Sequence, residues 1–157
     1  MFEEKDYFFM KEALEEAKKA LAEDEIPVGA VIVDSQGKII GKGRNQMLKL
    51  NDPTAHAEIL AIKEACKNLG NYRLVGCKIY VTLEPCPMCA YALVLARVEE
   101  LIFATRDEKT GACGSIYNIV QNPKLNHQIK VKDGLLKDEA KTLLKNFFKS
   151  KRKNQKF

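Results

Sequence analysis

The sequence predicts an α/β domain in which a partly parallel sheet lies between helices. Two observations carry this reading: strand-like and helix-like segments alternate after Ala55, and an amphipathic helix stands at each end of the chain. The length of 157 residues suits one domain able to bury most of the surface its unfolded chain exposes. Residues 1–157 are therefore read as a single domain with a basic C-terminal helix and tail at about 135–157. An apolar content of 46% with 30% charged residues excludes intrinsic disorder, and nine Gly with five Pro exclude a collagen-like or linker-dominated chain.

The elements follow in order. Tyr7, Met10, Leu14, Ala17 and Leu21 recur at spacings of three and four with Glu and Lys between them, which is the pattern of an amphipathic helix. Glu23-Asp24-Glu25 ends it. Val28 to Asp34 and Lys38 to Lys42 flank Ser35-Gln36-Gly37 and read as a β-hairpin. A polar loop is expected from Gly43 to Asp52. Pro53 then sits where a helix can begin, since its missing N–H costs nothing in a first turn. Ala55 to Leu69 is helical in composition, and Gly70-Asn71 stops it. Cys77 to Leu83 is apolar and β-rich, and Pro85 and Pro87 open a helix that runs through Ala90 to Ala96. Glu100 to Ala104 is a short strand, Arg106 to Ser115 a polar Gly-containing loop, and Ile129 to Val131 a last short strand. Leu136, Ala140, Leu143 and Phe147 form the apolar stripe of a closing helix.

The formal charge of +5 is unevenly placed. Lys145, Lys149, Lys151, Arg152, Lys153 and Lys156 have no acidic residue among them, so the first 144 residues hold 20 basic against 21 acidic side chains. Such a tail reads as a nucleic-acid contact or as a solvated end. The longest uninterrupted apolar run, Met88 to Ala96, is about half of the roughly 20 residues that a membrane span needs. The acidic start, Met1-Phe2-Glu3-Glu4-Lys5-Asp6, lacks the apolar stretch of a secretory signal, so a soluble cytoplasmic protein is expected.

Five cysteines cannot all pair, and this context disfavours a disulfide framework. Cys66, Cys77 and Cys113 stand apart and read as small buried hydrophobes. Cys86 and Cys89 need another explanation. Three residues apart on a helical first turn, their sulfurs share one face, and the positive end of a helix favours thiolates. His56, in His56-Ala57-Glu58, can supply a third ligand, and Cys with His selects zinc. Three protein ligands leave one tetrahedral position for water, the mark of a catalytic rather than a structural site. Glu58 is then the candidate base. A regular helix sets residues i and i+2 about 200° apart, so its spacing from His56 does not by itself bring the carboxylate to that water. A structural zinc corner closed by Cys66, Cys77, Cys113 or His127 is the competing reading.

H-x-E followed by P-C-x-x-C resembles the pattern of the zinc-dependent cytidine and adenosine deaminases. The blocks Ile26-Pro27-Val28-Gly29-Ala30-Val31, Asp52 to Ile59, Asn71-Tyr72-Arg73-Leu74, Tyr80 to Cys86, and Arg106-Asp107 with Lys109-Thr110-Gly111 resemble the bacterial tRNA-specific adenosine deaminases, over roughly residues 5 to 152. The resemblance implies a three-layer α/β/α fold with a five-stranded mixed sheet, of the cytidine deaminase type, acting as a homodimer with one zinc per subunit. It implies hydrolytic deamination of adenosine to inosine at the wobble position of a tRNA anticodon, typically that of an arginine tRNA, by metal-activated hydroxide.

Carried over by position, His56, Cys86 and Cys89 hold the metal and Glu58 shuttles protons. Asn45 contacts the flipped purine, and the backbone at Ala57, Leu83 and Glu84 reads its edge and the attacking water. Asp107 lies near the sugar or a flanking nucleotide. Phe148, Lys149 and Arg152 can meet the anticodon stem-loop, and Arg44, Lys49, Arg73, Arg106 and Lys109 read as solvated surface charges or as further RNA contacts. The family's end often reads F-F-R-x-R-R, whereas this chain has Phe147-Phe148-Lys149-Ser150-Lys151-Arg152, and lysine keeps the charge but loses bidentate geometry. Two other readings compete: a deaminase of free nucleobases or nucleosides such as guanine or cytosine, and a non-catalytic RNA-binding partner that uses zinc structurally.

Overall fold

The computed structural model describes residues 1–154. Residues 155–157 of the basic tail, Lys156 among them, lie outside the described residues. Five strands form one mixed sheet: β1 (Gly29–Val33), β2 (Ile39–Arg44), β3 (Lys78–Leu83), β4 (Glu100–Thr105) and β5 (Lys130–Asp133), in the order β2-β1-β3-β4-β5. β1 runs antiparallel to β2 and to β3, while β3, β4 and β5 are parallel. Helices α3 (Ala57–Leu69) and α4 (Pro87–Leu95) pack on one face of the sheet, and α1 (Glu4–Ala22) and α5 (Lys137–Asn154) on the other. This is the three-layer α/β/α arrangement with a five-stranded mixed sheet that the family resemblance implies, and it contains the partly parallel sheet between helices read from the strand and helix alternation.

Alternation within the strands builds both cores. Ala30, Ile32, Ile79, Val81, Leu101 and Phe103 face α3 and α4, whereas Val31, Val33, Tyr80, Ile102 and Ala104 face α1 and α5. The central strands are buried on both faces, which is why they read as continuous apolar runs. On the α1 side, Tyr80 donates to Asp6 at 2.6 Å, and Asp6 also closes a capping box with Glu3. Burial would raise the Asp6 carboxyl, but the Tyr80 hydroxyl and the Glu3 amide, aided by Lys78 and Lys132, outweigh it and hold it below the usual range.

Topology decides where the chain's polar motifs meet. β2 and β3 both run antiparallel to β1, so they point the same way, and β4 is parallel to β3. The chain therefore leaves β2, β3 and β4 at one end of the sheet. α3, α4 and the 106–115 loop all begin there, where open α/β sheets place ligands.

Three local differences from the sequence reading have physical causes. The strand β2 runs on to Arg44 because Gly43 and Arg44 pair with Ala30 and Gly29. The expected loop also contains a short helix, α2 (Met47–Leu50), whose Leu48 and Lys49 amides are accepted by the buried Glu25 carboxylate at 3.1 and 3.0 Å. Pro53 lies in a turn ahead of α3, whose first residue is Ala57, because the Asp52 side chain accepts the Thr54 amide at 2.8 Å and holds that turn.

Candidate metal centre

His56 and Cys86 occupy equivalent positions. Each is the residue before a helix, with extended backbone (φ −76°, ψ 154° for His56; φ −73°, ψ 172° for Cys86), and neither side chain caps its own helix. An N-cap side chain folds over the first turn. For Cys86 this brings its sulfur beside Cys89, the third residue of α4. It also removes the difficulty with Glu58: His56 is extended rather than helical, so the 200° separation of residues i and i+2 does not apply.

Two uncapped helix starts would leave buried N–H groups unpaired. At α4 the first helical residue is Pro87, which has no N–H to lose. At α3 the missing cap is supplied from β2. Asn45, just past that strand, accepts the Ala57 amide at 2.9 Å through Oδ1 and donates Nδ2 to the Ile26 carbonyl at 3.1 Å. These opposite partners fix the orientation of its amide, and the second Nδ2 proton has no acceptor among the described residues.

His56 Nδ1 lies 3.6 Å from Cys86 Sγ and 3.5 Å from Cys89 Sγ, and the three donor atoms lie within 4.8 Å of one another. Zinc bonds of about 2.0–2.1 Å to nitrogen and about 2.3 Å to sulfur, at the tetrahedral angle, place such a pair about 3.5 Å apart. The residues fit that ion. Among the described residues no fourth His, Cys, Asp or Glu joins the group. His127 bonds the Val98 carbonyl at 2.7 Å instead, Cys77 lies against the Val75 carbonyl, Cys66 packs from α3 against the core, and Cys113 is buried within it.

The electrostatics suit a cation with a base beside it. The Cys86 thiol is held down to about 4, first by the Cys89 thiol that donates to it and then by His56. Cys89 is pushed up by that same hydrogen bond and by burial, and His56 is raised by its bond to Cys86. A metal taking this site displaces the shared protons. Glu58 is only 4% exposed, and burial lifts its carboxyl to about 7, with the neighbouring Cys86 charge acting the same way. Cys89, Cys86 and His56 all act on it, so the carboxylate sits against the metal-ligand cluster.

The remaining expected residues fall into three groups. Leu83 ends β3, and Glu84 follows with its amide bonded to the Thr105 carbonyl at 2.9 Å. The Asp107 carboxylate accepts the Lys109 and Thr110 amides at 3.0 and 3.2 Å and the Thr110 hydroxyl at 2.9 Å. In α5 Phe147 is buried, while Phe148, Lys149 and Arg152 are exposed. Lys151 reaches Asp24 at 2.7 Å and covers the Phe147 ring.

Several surface cations are engaged: Arg44 pairs with Glu23 and Glu16, Lys49 with Glu23, and Arg106 with Asp133. Arg73 stacks over Tyr72 just past the C-terminal end of α3, the end away from the cluster. Two contributors were not found by sequence reasoning. Glu25 and the Glu84 side chain are buried carboxylates whose partners lie more than twenty residues away, and no local pattern marks them.

Comparison with known proteins agrees with this geometry. Residues 3–105 match the family model described as the cytidine and deoxycytidylate deaminase zinc-binding region. A tRNA-specific adenosine deaminase of Aquifex aeolicus is 53% identical over 147 residues, covering 94% of this chain and 96% of that protein. A structure solved in studies of A-to-I editing by tRNA:A34 deaminases at the wobble position of transfer RNA superposes with a TM-score of 0.84 at 44% identity. It covers 87% of this chain and 99% of that one. A guanine deaminase from Nitrosomonas europaea is more distant, with a TM-score of 0.74 at 29% identity over 90% of this chain and 83% of that one.

Proposed function

Because the chain belongs to the zinc-binding family of cytidine and deoxycytidylate deaminases, and within it to the tRNA-specific adenosine deaminases, we propose that it hydrolyses adenosine to inosine at the wobble position of a tRNA anticodon. The observation that carries this reading is the juxtaposition of a three-donor cradle, lacking a fourth protein ligand among the described residues, with a buried carboxylate. A zinc ion held by His56, Cys86 and Cys89 supplies the Lewis acidity that makes a water molecule nucleophilic near neutral pH.

The chain's own groups do the rest. Glu58 takes the proton released by that water and delivers it to N1 of the purine. As the oxygen of that water bonds to C6, the new C6 hydroxyl gives its proton to Glu58, which passes it to the amino nitrogen; the C6–N bond then breaks, and adenosine and water become inosine and ammonia. Burial favours the protonated form of the Glu58 carboxyl, and a proton shuttle needs a group that can hold a proton as well as take one. The free Nδ2 proton of Asn45 is available to the purine, and the backbone at Ala57, Leu83 and Glu84 lines its edge. Asp107 and Lys109 stand over the neighbouring nucleotide. The exposed Phe148 offers a ring for an unpaired base, and Lys149 and Arg152 offer salt-sensitive phosphate contacts.

An arginine tRNA is the proposed substrate, with one zinc per subunit and a homodimer in the cytoplasm. Met88, Tyr91 and Leu95 form an exposed apolar row along α4 that suits a second copy. Among the described residues no helix is long and apolar enough to cross a membrane. The test is to sequence tRNA from cells with and without the protein. Conversion of the wobble adenosine should vanish with the gene, and unchanged conversion would refute the reading. The likeness to guanine deaminase favours a second reading, deamination of a free purine base. Ammonia release from guanine exceeding that from an anticodon stem-loop would establish it in place of the first.

A further inference from the structure

We infer that Glu84 is a positioning residue whose side-chain carboxylate pins the 106–115 loop onto the metal-bearing segment and so fixes the register in which an RNA nucleotide is received. The last step rests on the function proposed above. Glu84 is 2% exposed, directly follows β3 and stands two residues before Cys86. Its bonded partners are uncharged donors from that one loop. Oε1 accepts the Asp107 amide at 3.0 Å and the Ser115 hydroxyl, and Oε2 accepts the Cys113 and Ser115 amides at 3.0 and 3.1 Å.

The backbone follows the same stitching, with the Ala112 amide on the Pro85 carbonyl at 2.9 Å. Gly111 lies so close that an added Cβ would meet Glu84 Cδ at 2.4 Å, so the loop closes tightly around the carboxylate. A structural anchor could be any polar group. This one is an anion buried among N–H and O–H donors, with both oxygens doubly engaged. An amide would set its NH2 against two backbone N–H donors in one orientation and against the Asp107 N–H in the other, where only the Ser115 hydroxyl can turn to accept, so a carboxylate alone takes all four donors. Because the Asp107 side chain is committed to its own turn, the hydrogen bond that the Asp107 backbone N–H donates to Glu84 also places that turn, with Lys109 on it.

The test compares zinc-loaded wild type, Glu84→Gln and Ser115→Ala at full length. Deuterium exchange is followed without RNA, together with zinc content and with kcat and KM on an anticodon stem-loop. In Glu84→Gln, the amides of residues 107–115 should exchange at least tenfold faster. β4 should keep its protection and the protein its zinc, and KM should rise at least tenfold with a smaller change in kcat. Ser115→Ala, which removes one donor of the four, should move the same amides severalfold in the same direction, and it decides the question if Glu84→Gln does not fold. Unchanged exchange at 107–115 in the folded variants, or an equal rise in exchange throughout a chain that still folds and holds zinc, would overturn the inference. If wild type leaves the stem-loop unmodified, the proposed function falls, while the exchange data still judge Glu84.

Discussion

Gly43 is the position at which one methyl group should separate catalysis from folding. It lies in β2 directly under the first turns of α3, and an added Cβ would stand 2.1 Å from the Ala57 carbonyl oxygen and 2.7 Å from the Ala61 nitrogen. Ordinary contact begins at 3.4 Å, so α3 would have to retreat by 1.3 Å at its N-terminal end. That end carries His56 and Glu58. Overpacking of this kind costs about 1–3 kcal/mol. Against a total stability of about 5–15 kcal/mol, the Gly43→Ala protein stays folded at room temperature.

The loss of activity should be larger, because a displacement of about 1 Å in a reacting constellation costs on the order of 100-fold in rate. Zinc affinity should fall as well, since withdrawal of His56 opens the 3.5 and 3.6 Å separations from the two sulfurs. The assay pairs thermal unfolding with zinc content and kcat/KM on an anticodon stem-loop. Gly37→Ala is the control: it has nothing within 4 Å and loses stability through its positive φ of 82°, so its activity should be unchanged. A Gly43→Ala protein within twofold of wild-type activity, with an unaltered melting temperature, would refute the reasoning.

Glu58→Gln should abolish turnover while zinc content stays at the wild-type level, as read by elemental analysis. Asn45→Ala should lower stability by about 1–3 kcal/mol in a urea titration, because it leaves the buried Ala57 amide without its partner, while the Ile26 carbonyl keeps only the Val28 amide. Glu23 makes a pH-dependent tie to Arg44, which with its neighbours holds its carboxyl down to about 2 from an ordinary 4.5. A depressed carboxyl stabilises the fold above its unfolded value and loses that contribution as pH falls through the folded one. Wild type and Glu23→Gln should therefore differ most in melting temperature near neutral pH and converge as pH falls from about 4.5 towards about 2.

Much of the site was legible because its ligands come in short spacings. His56 with Glu58, and Cys86 with Cys89, are local pairs whose chemistry is readable before any fold is known. Strand and helix alternation likewise announced the sheet, since central strands buried on both faces show as apolar runs. What stayed hidden depends on contacts between distant segments. Glu25 reads as part of a polar helix end, yet it is buried under α2 by amides 23 and 24 residues away. The β2 extension depends on pairing with β1, and Asn45 gains its capping role only once β2 lies beside α3. Glu84, too, looks like a surface acid until the loop after β4 folds back over it.

These hidden residues share a physical task. A helix N-terminus is a favourable place for thiolate and carboxylate, but using the N-cap side chain as a metal ligand withdraws it from capping. Both helices that serve this site make that exchange, and in each case the missing function is supplied by a different device: Asn45 for α3, and proline at the first position for α4. The 47–50 helix buries none of its residues and 106–115 adds only Ala112 and Cys113 to the apolar core, and in each a buried carboxylate gathers the backbone amides, Glu25 beneath 47–50 and Glu84 within 106–115. Rigidity at the reacting centre thus comes from polar groups outside it. Substitutions of Asn45, Glu25 and Glu84 should therefore alter substrate handling while the His56, Cys86 and Cys89 donors themselves stay in place.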